Sequence, residues 1–196
     1  MTRDTKAAMK GIQIPPQWTV VLWSFAKAMA HPRLSAKWFR MYPNECLPDY
    51  RFTIWVDASL RITDPFFAGW MMKCLGGNDL ALFSHPERKT LGAEVEVSET
   101  MQKYDGHDMR AQVQHYRDLG YEDQSGLYAT GVLVRETTPR MIGLGNDWWV
   151  ENGTWTYQDQ LSLPFLLWQK GITPNVIPGN IFRNEWLYWE PHQSNL

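Results

Sequence analysis

Three short stretches of this chain carry side chains whose types and spacing could do chemistry. The first is Asp57-Ala58-Ser59, which follows the apolar, β-prone run Phe52 to Val56. Residues two apart at a strand end project to one side, and open α/β sheets take their ligands beyond such ends. A carboxylate and a hydroxyl there suit Mg2+ or Mn2+, ions that prefer oxygen and often share it with phosphate. The same aspartate also fits a turn or helix cap. The second stretch is the loop Ser84-His85-Pro86-Glu87-Arg88, with Glu94 beyond it. Arginine offers a planar fork for phosphate, yet the loop also reads as a solvated entry to a helix with Glu94 and Glu96 in its first turn. The third places Glu151 and Asp159 among Trp148, Trp149 and Trp155. Apolar rings raise a carboxyl pKa and so suit it to acid–base work. Thr156-x-x-Asp159 also matches a helix capping box. His192, in the tail Tyr-Trp-Glu-Pro-His-Gln, could complete a metal site or simply face solvent.

These groups need a scaffold, and the pattern supplies α/β. Strand-like runs at Arg51–Val56, Asp79–Phe83 and Leu127–Val134 alternate with helix-like ones. The helical segments are expected at Ser35–Met41, Pro65–Leu75, 92–104, 108–119, Met141–Glu151 and Leu161–Lys170. Asp108 reads as an N-cap, and Gly76-Gly77, Gly120 and Gly171 read as stops. Pro164 must kink or begin its helix. Trp18–Phe25 suits a strand, with Ala26–Ala30 extending toward helix.

Composition narrows the class. The 196 residues are 44% hydrophobic and 20% charged, with net charge -2, which suits one globular domain over 1–196 with a sizeable core. No basic stripe marks a nucleic-acid surface. Two cysteines, Cys46 and Cys74, exclude a disulfide framework and a Cys-based zinc site. No apolar run is long enough to span a bilayer, and no secretory signal opens the chain, so a soluble cytoplasmic protein is expected. A Walker loop, a G-x-S-x-G elbow, a zincin motif and a dinucleotide fingerprint are all lacking. Eleven tryptophans are the unusual number. Rings of this size build cores and also stack on sugars and bases.

The order of the pieces says more than any one of them. Lys37, Pro43, Leu47-Pro48-x-Tyr50 and Ile54-Trp55-Val56-Asp57-Ala58-Ser59 come first. His85-Pro86-x-Arg88 and Glu94 follow, then Trp148-Trp149-x-Glu151, Thr154-Trp155 and Asp159-Gln160-Leu161-Ser162. Over about residues 33 to 177 this order resembles the glycosyltransferase-like domain family of the MUCI/TOD-type proteins. Its specific elements are Trp-x-Asp-x-Ser and Asp-Gln-Leu-Ser. The resemblance implies a GT-A-like, Rossmann-like mixed sheet flanked by helices, with a shortened N-terminal nucleotide-binding half ahead of Asp57. It further implies that Asp57 meets a Mn2+ or Mg2+ ion or the donor's ribose and diphosphate, and that Ser59 stands where related enzymes carry a second acid. His85, Arg88, Lys37 and Gln160 become donor-side contacts, and Gly126–Val132 the floor of the sugar pocket. Asp159 or Glu151 becomes the acid–base residue, and Trp149 and Trp155 stack on sugar.

The expected activity is transfer of a sugar from a nucleotide-sugar donor to a glycan, protein or small-molecule acceptor, assisted by a divalent metal. Two alternatives stand beside it. One is a catalytically inactive protein of the same fold that binds carbohydrate or nucleotide sugar. The other is a glycoside hydrolase pairing Glu151 with Asp159.

Overall fold

Alternation along two short strands divides the molecule into two cores. On Leu80–Ser84, Leu80 and Leu82 point one way and Ala81 and Phe83 the other, all of them buried. On Tyr128–Glu136, Leu133 faces the first side while Val132 and Val134 face the second. Period-two placement on a sheet buried on both faces is the cause. The computed structural model describes residues 32–124 and 126–190. In chain order these form α1 (Pro32–Met41), α2 (Pro43–Cys46), β1 (Phe52–Val56), β2 (Leu60–Ile62), α3 (Phe67–Leu75), β3 (Leu80–Ser84) and α4 (Leu91–Ser98). A 3-10 turn at Gln102–Tyr104 follows, then α5 (Met109–Asp118), β4 (Tyr128–Glu136), α6 (Pro139–Thr154), α7 (Asp159–Gln169), β5 (Asn175–Ile177) and β6 (Leu187–Trp189).

The main sheet has the order β1-β4-β3-β5, and β2 pairs with β6 in a separate ribbon. Only β3 and β5 run parallel; β1/β4 and β3/β4 are antiparallel. One core lies between the sheet and helices α4 to α7. The other lies between the sheet, α3 and the β2/β6 ribbon, with Trp70 stacked on Trp186 at 5.2 Å and 9°. This is the mixed α/β architecture that the sequence led us to expect, a four-stranded sheet flanked by helices.

Local chemistry explains most boundaries. The Thr138 hydroxyl caps α6 by accepting from Met141 N–H, with Pro139 preset at the first helical position. Asp108 caps α5 in the same way through Ala111. Gly76, at φ 55°, ends α3 in the left-handed conformation. Residues 92–104 do not form one helix. The backbone leaves α4 at Ser98 and makes a separate 3-10 turn whose Tyr104 is buried. The helix of the third motif begins earlier than its apolar stripe suggests, at Asp159, and carries Pro164 within it. The expected strand at Trp18–Phe25 lies outside the described residues.

One close approach fixes the helix that matters most below. The last turn of α1 crosses α6 at Gly145, where a built Cβ would press well inside contact with the carbonyl oxygen of Met41. Neighbouring Gly143 has open space around it. Substitution of Gly145 by alanine is expected to cost about 1–3 kcal/mol through overpacking. Alanine at Gly143 is expected to gain up to about 1 kcal/mol by stiffening the helix. Urea denaturation midpoints of the two variants, read at constant slope, test the contrast.

Candidate functional site

The bend where β1 leaves the sheet begins with an irregularity in β4. Leu82 pairs with Leu133, but the next residue, Phe83, pairs with Ala129. Thr130, Gly131 and Val132 therefore drop out of the β3 ladder, as in bulges that re-aim groups beside sites. Gly131 keeps its place next to β1 and accepts the Asp57 N–H at 2.7 Å. A side chain at Gly131 would meet Asp57 Oδ2 at 3.2 Å, so the carboxylate packs closely over this glycine. The freed carbonyl of Thr130 accepts from Arg40 Nη1 at 3.1 Å.

Arg40 is the hub of this wall. Its Nη2 pairs with Asp159 Oδ2, its Nη1 lies 4.0 Å from Asp57 Oδ1, and its guanidinium sits over the rings of Trp55 and Trp148. Lys37, three residues earlier on the same helix face, pairs with the same Asp159 oxygen. Asn152 on α6 donates to the other oxygen at 3.3 Å. Burial alone would raise the Asp159 pKa; Arg40 and Lys37 outweigh it and hold the carboxyl below its usual value. Burial pulls the Lys37 amine down to about 8, against the attraction of Asp159. Arg135, buried on β4, donates to the Arg40 carbonyl and has no carboxylate partner among the described residues.

Asp57 differs in character. Its Oδ1 accepts the Trp55 indole N–H at 2.6 Å, its side chain is 41% exposed, and its Oδ2 has no hydrogen-bond partner among the described residues. Burial raises its pKa above the ordinary carboxylate value, more than Arg40 and the Trp55 bond lower it.

A second wall comes from α4 and the loop before it. Glu94 is fully buried and accepts from Arg88 Nε at 2.5 Å, Ser98 Oγ at 3.1 Å and Gln158 Nε2 at 2.6 Å. The Tyr104 hydroxyl donates to Gln158 Oε1 at 2.5 Å. His85 Nδ1 accepts the N–H groups of Glu87 and Arg88, and burial with the nearby Arg88 charge lowers its pKa. The His85–Arg88 loop is thus folded inward onto Glu94 rather than solvated.

Between the walls lies a cleft of about 690 Å3, a size that ligand pockets commonly have. It gathers Lys37, Asp57, Ser59, His85, Arg88, Asp159 and Gln160 from separate parts of the chain. Thr130, from the expected pocket floor Gly126–Val132, and Trp55, from the Trp-x-Asp-x-Ser element, line it too; Arg40, Gln158 and Phe182 also line it and had not been singled out. The three-residue spacing of Lys37 and Arg40 on one helix face was the available sign for Arg40. Gln158 carries no such sign, because its place at the start of α7 brought it in.

Three expected residues are elsewhere. Glu151 lines no part of the cleft and accepts the buried Tyr116 hydroxyl, tying α6 to α5. Trp149 packs edge-on against Tyr42 at 6.0 Å, and Trp155 lies against His115 at 5.2 Å. Glu151 and Asp159 therefore do not share a cavity as a hydrolytic pair would. The Thr156 hydroxyl accepts from Gln158 N–H, and no side chain caps α7, so the capping box does not form. His192 lies outside the described residues.

The donor set of the described residues does not fit a divalent ion held by protein side chains alone. Among the described residues no group of three His, Cys, Asp or Glu side chains could hold one. Asp159 and Glu94 are taken up by cations, and Asp57 has a guanidinium 4.0 Å away.

The family model of the TOD1/MUCI70 glycosyltransferase-like domain matches residues 5–185. The chain belongs to that family. The match takes in both walls of the cleft and the whole four-stranded sheet. No curated protein and no solved structure matches the chain. Among the described residues of this TOD1/MUCI70 domain, no helix is long and apolar enough to cross a membrane.

Removing the central carboxylate tests the wall. Asp159→Asn leaves Lys37 and Arg40 facing each other, and breaking a buried pair in this way costs about 3–5 kcal/mol. The lowered pKa also fixes the sign with pH. Stability from Asp159 is fully present above the unfolded value of about 3.9 and is lost as pH falls through the folded value. Urea denaturation of both proteins down to about pH 2 is expected to show a shallower acid decline in the variant.

Proposed function

We propose that this domain transfers a glycosyl group from a nucleotide-sugar donor to an acceptor hydroxyl in the cleft between α1, β1 and α4. The observation that carries the reading is the meeting of Asp57 with Lys37 in one cleft of a glycosyltransferase-like domain. One is a carboxylate with an open oxygen, the other a buried ammonium. A transferase must take a proton from the attacking hydroxyl and stabilise the negative charge that departs with the nucleotide.

Asp57 is assigned the first task. Trp55 and Gly131 fix its orientation, Oδ2 is open, and a raised pKa makes it the stronger base of the two cleft aspartates. The acceptor oxygen attacks the anomeric carbon as its proton passes to Oδ2. The bond from that carbon to the diphosphate oxygen breaks, and the electron pair leaves on the diphosphate. Lys37 is assigned the departing charge. Asp159 is saturated by Lys37, Arg40 and Asn152, which suits it to placing Lys37 rather than to moving protons. Arg88 and His85, held by Glu94, shape the opposite side toward the donor, and Ser59 and Gln160 offer it hydrogen bonds.

The test is release of nucleoside diphosphate from a panel of nucleotide sugars, with and without oligosaccharide acceptors, followed by chromatography. Wild type is expected to turn over at least one donor. Asp57→Ala is expected to lower the rate by about 10^2 to 10^4-fold, the usual worth of a positioned general base. Binding of a donor without release of diphosphate by wild type would replace this reading with that of a non-catalytic nucleotide-sugar-binding protein.

A further inference from the structure

The charges around the cleft are unequal, and the inequality bears on how a diphosphate would be held. Lys37, Arg40, Arg88 and Lys103 line the cleft against Asp57, Glu94 and Asp159, and Arg135, outside the lining, joins Lys37 and Arg40 where α1 meets β4. Arg40 and Arg135 are each 4% exposed. The carboxylates facing them are Asp159, which is fully taken up, and Asp57, which is half-buried and contacts Arg40 only at 4.0 Å. Buried charge in a low-dielectric wall is poorly screened, so a surplus of one sign sets the potential of the adjoining cavity. Two further features of the geometry agree. The Arg40 Nε and Arg135 Nε atoms are buried with no hydrogen-bond partner among the described residues, so this wall keeps two cationic N–H groups unsatisfied. The Lys37 ammonium carries three N–H donors and gives one to Asp159.

A divalent cation at Asp57 would have to sit beside this surplus. Its nearest charged neighbour would be the Arg40 guanidinium, and one Asp57 oxygen is already committed to Trp55. Where a paired-acid site would place a second carboxylate, this chain has Ser59, a neutral hydroxyl. The arrangement therefore repels a metal ion and attracts an anion.

We propose that the cleft holds the diphosphate of its nucleotide ligand without a divalent metal, with Lys37 as the contact and the buried Arg40 and Arg135 supplying the background field. This rests on the nucleotide-sugar reading above and deepens it. Arg40 and Arg135 are positioning residues here: Arg135 holds the α1 terminus, and Arg40 sets the place of Lys37 through their shared carboxylate. Asp57 stays free for a hydroxyl.

The test is calorimetric titration of the full chain with UDP, GDP, ADP and CDP, each in EDTA and in excess MnCl2. At least one is expected to bind in EDTA with a dissociation constant within about threefold of its value with Mn2+, well under the tenfold step that 1.4 kcal/mol represents. Lys37→Met is expected to weaken that ligand about tenfold or more, the worth of one hydrogen bond to a charged group. Lys37→Arg is expected to restore much of it. Asp57→Asn, which keeps an acceptor oxygen but is a poor metal ligand, is expected to leave nucleotide binding near wild type although it stops transfer. Binding that appears only with Mn2+ would overturn this inference and leave the proposed activity standing. Binding in EDTA that ignores Lys37→Met in a folded variant would also overturn it. No binding of any nucleotide in either buffer would overturn both. The wild-type comparison needs no variant, so it decides even where Lys37→Met does not fold.

Discussion

Asp159 is a fully buried carboxylate, and a buried carboxylate must be neutralised or protonated. Much of the candidate site can be understood as the way this chain meets that demand. Lys37 and Arg40 come from α1, Asn152 from α6, and Asp159 itself opens α7, so one charge ties three helices together. The negative group in the first turn of α7 also suits the positive end of that helix. Because Arg40 reaches across to the Thr130 carbonyl, the same charge locates the β4 bulge relative to α1. The bulge in turn carries Gly131, which seats Asp57. Asp57 thus depends on Asp159 through a chain of direct contacts, although the two are far apart in sequence.

The two walls of the cleft use the same device with different remainders of charge. On one side a buried acid gathers cations and leaves positive charge in excess. On the other a buried acid, Glu94, gathers Arg88, Ser98 and Gln158 and leaves its arginine satisfied. Both walls are rigid for the same reason: an ion inside a protein is tolerated only while its partners stay in place. A ligand entering between them meets fixed charges that need not reorganise.

How far the sequence could be read depended on what fixes each feature. The strands at Phe52–Val56 and Leu80–Ser84 follow from β-branched and apolar runs, and the caps at Asp108 and Gly76 from single residues, so local chemistry made them legible. Asp57, Ser59, His85, Arg88 and Asp159 stood out because charged groups next to apolar runs are conspicuous. Arg40 and Arg135 did not, because each looks like an ordinary basic residue until a partner far along the chain buries it. The tryptophans misled in the other direction. Trp149 and Trp155 lie close in sequence to Asp159, yet the helix face of α6 turns the first toward Tyr42 and the end of α6 turns the second toward His115. Glu151 was drawn to Tyr116 by a helix contact that no spacing announces. The β2/β6 ribbon has strands of three residues each, too short for periodicity to register.

That ribbon has a consequence in time rather than in space. Glu190 N–H donates to the Ser59 carbonyl at 2.7 Å, and Trp189 N–H donates to the Phe182 carbonyl at the rim of the cleft. The loop carrying Asp57 and Ser59 is therefore clamped by the last of the described strands. A chain emerging from the ribosome can lay down β1, β3, β4 and every described helix while this clamp is still unmade. Pairings between remote segments form late because their loop entropy must be met first. The Ser59 end of that loop is thus tied down only once β6 has been synthesised, whereas Asp57 is already held by Gly131 and Trp55.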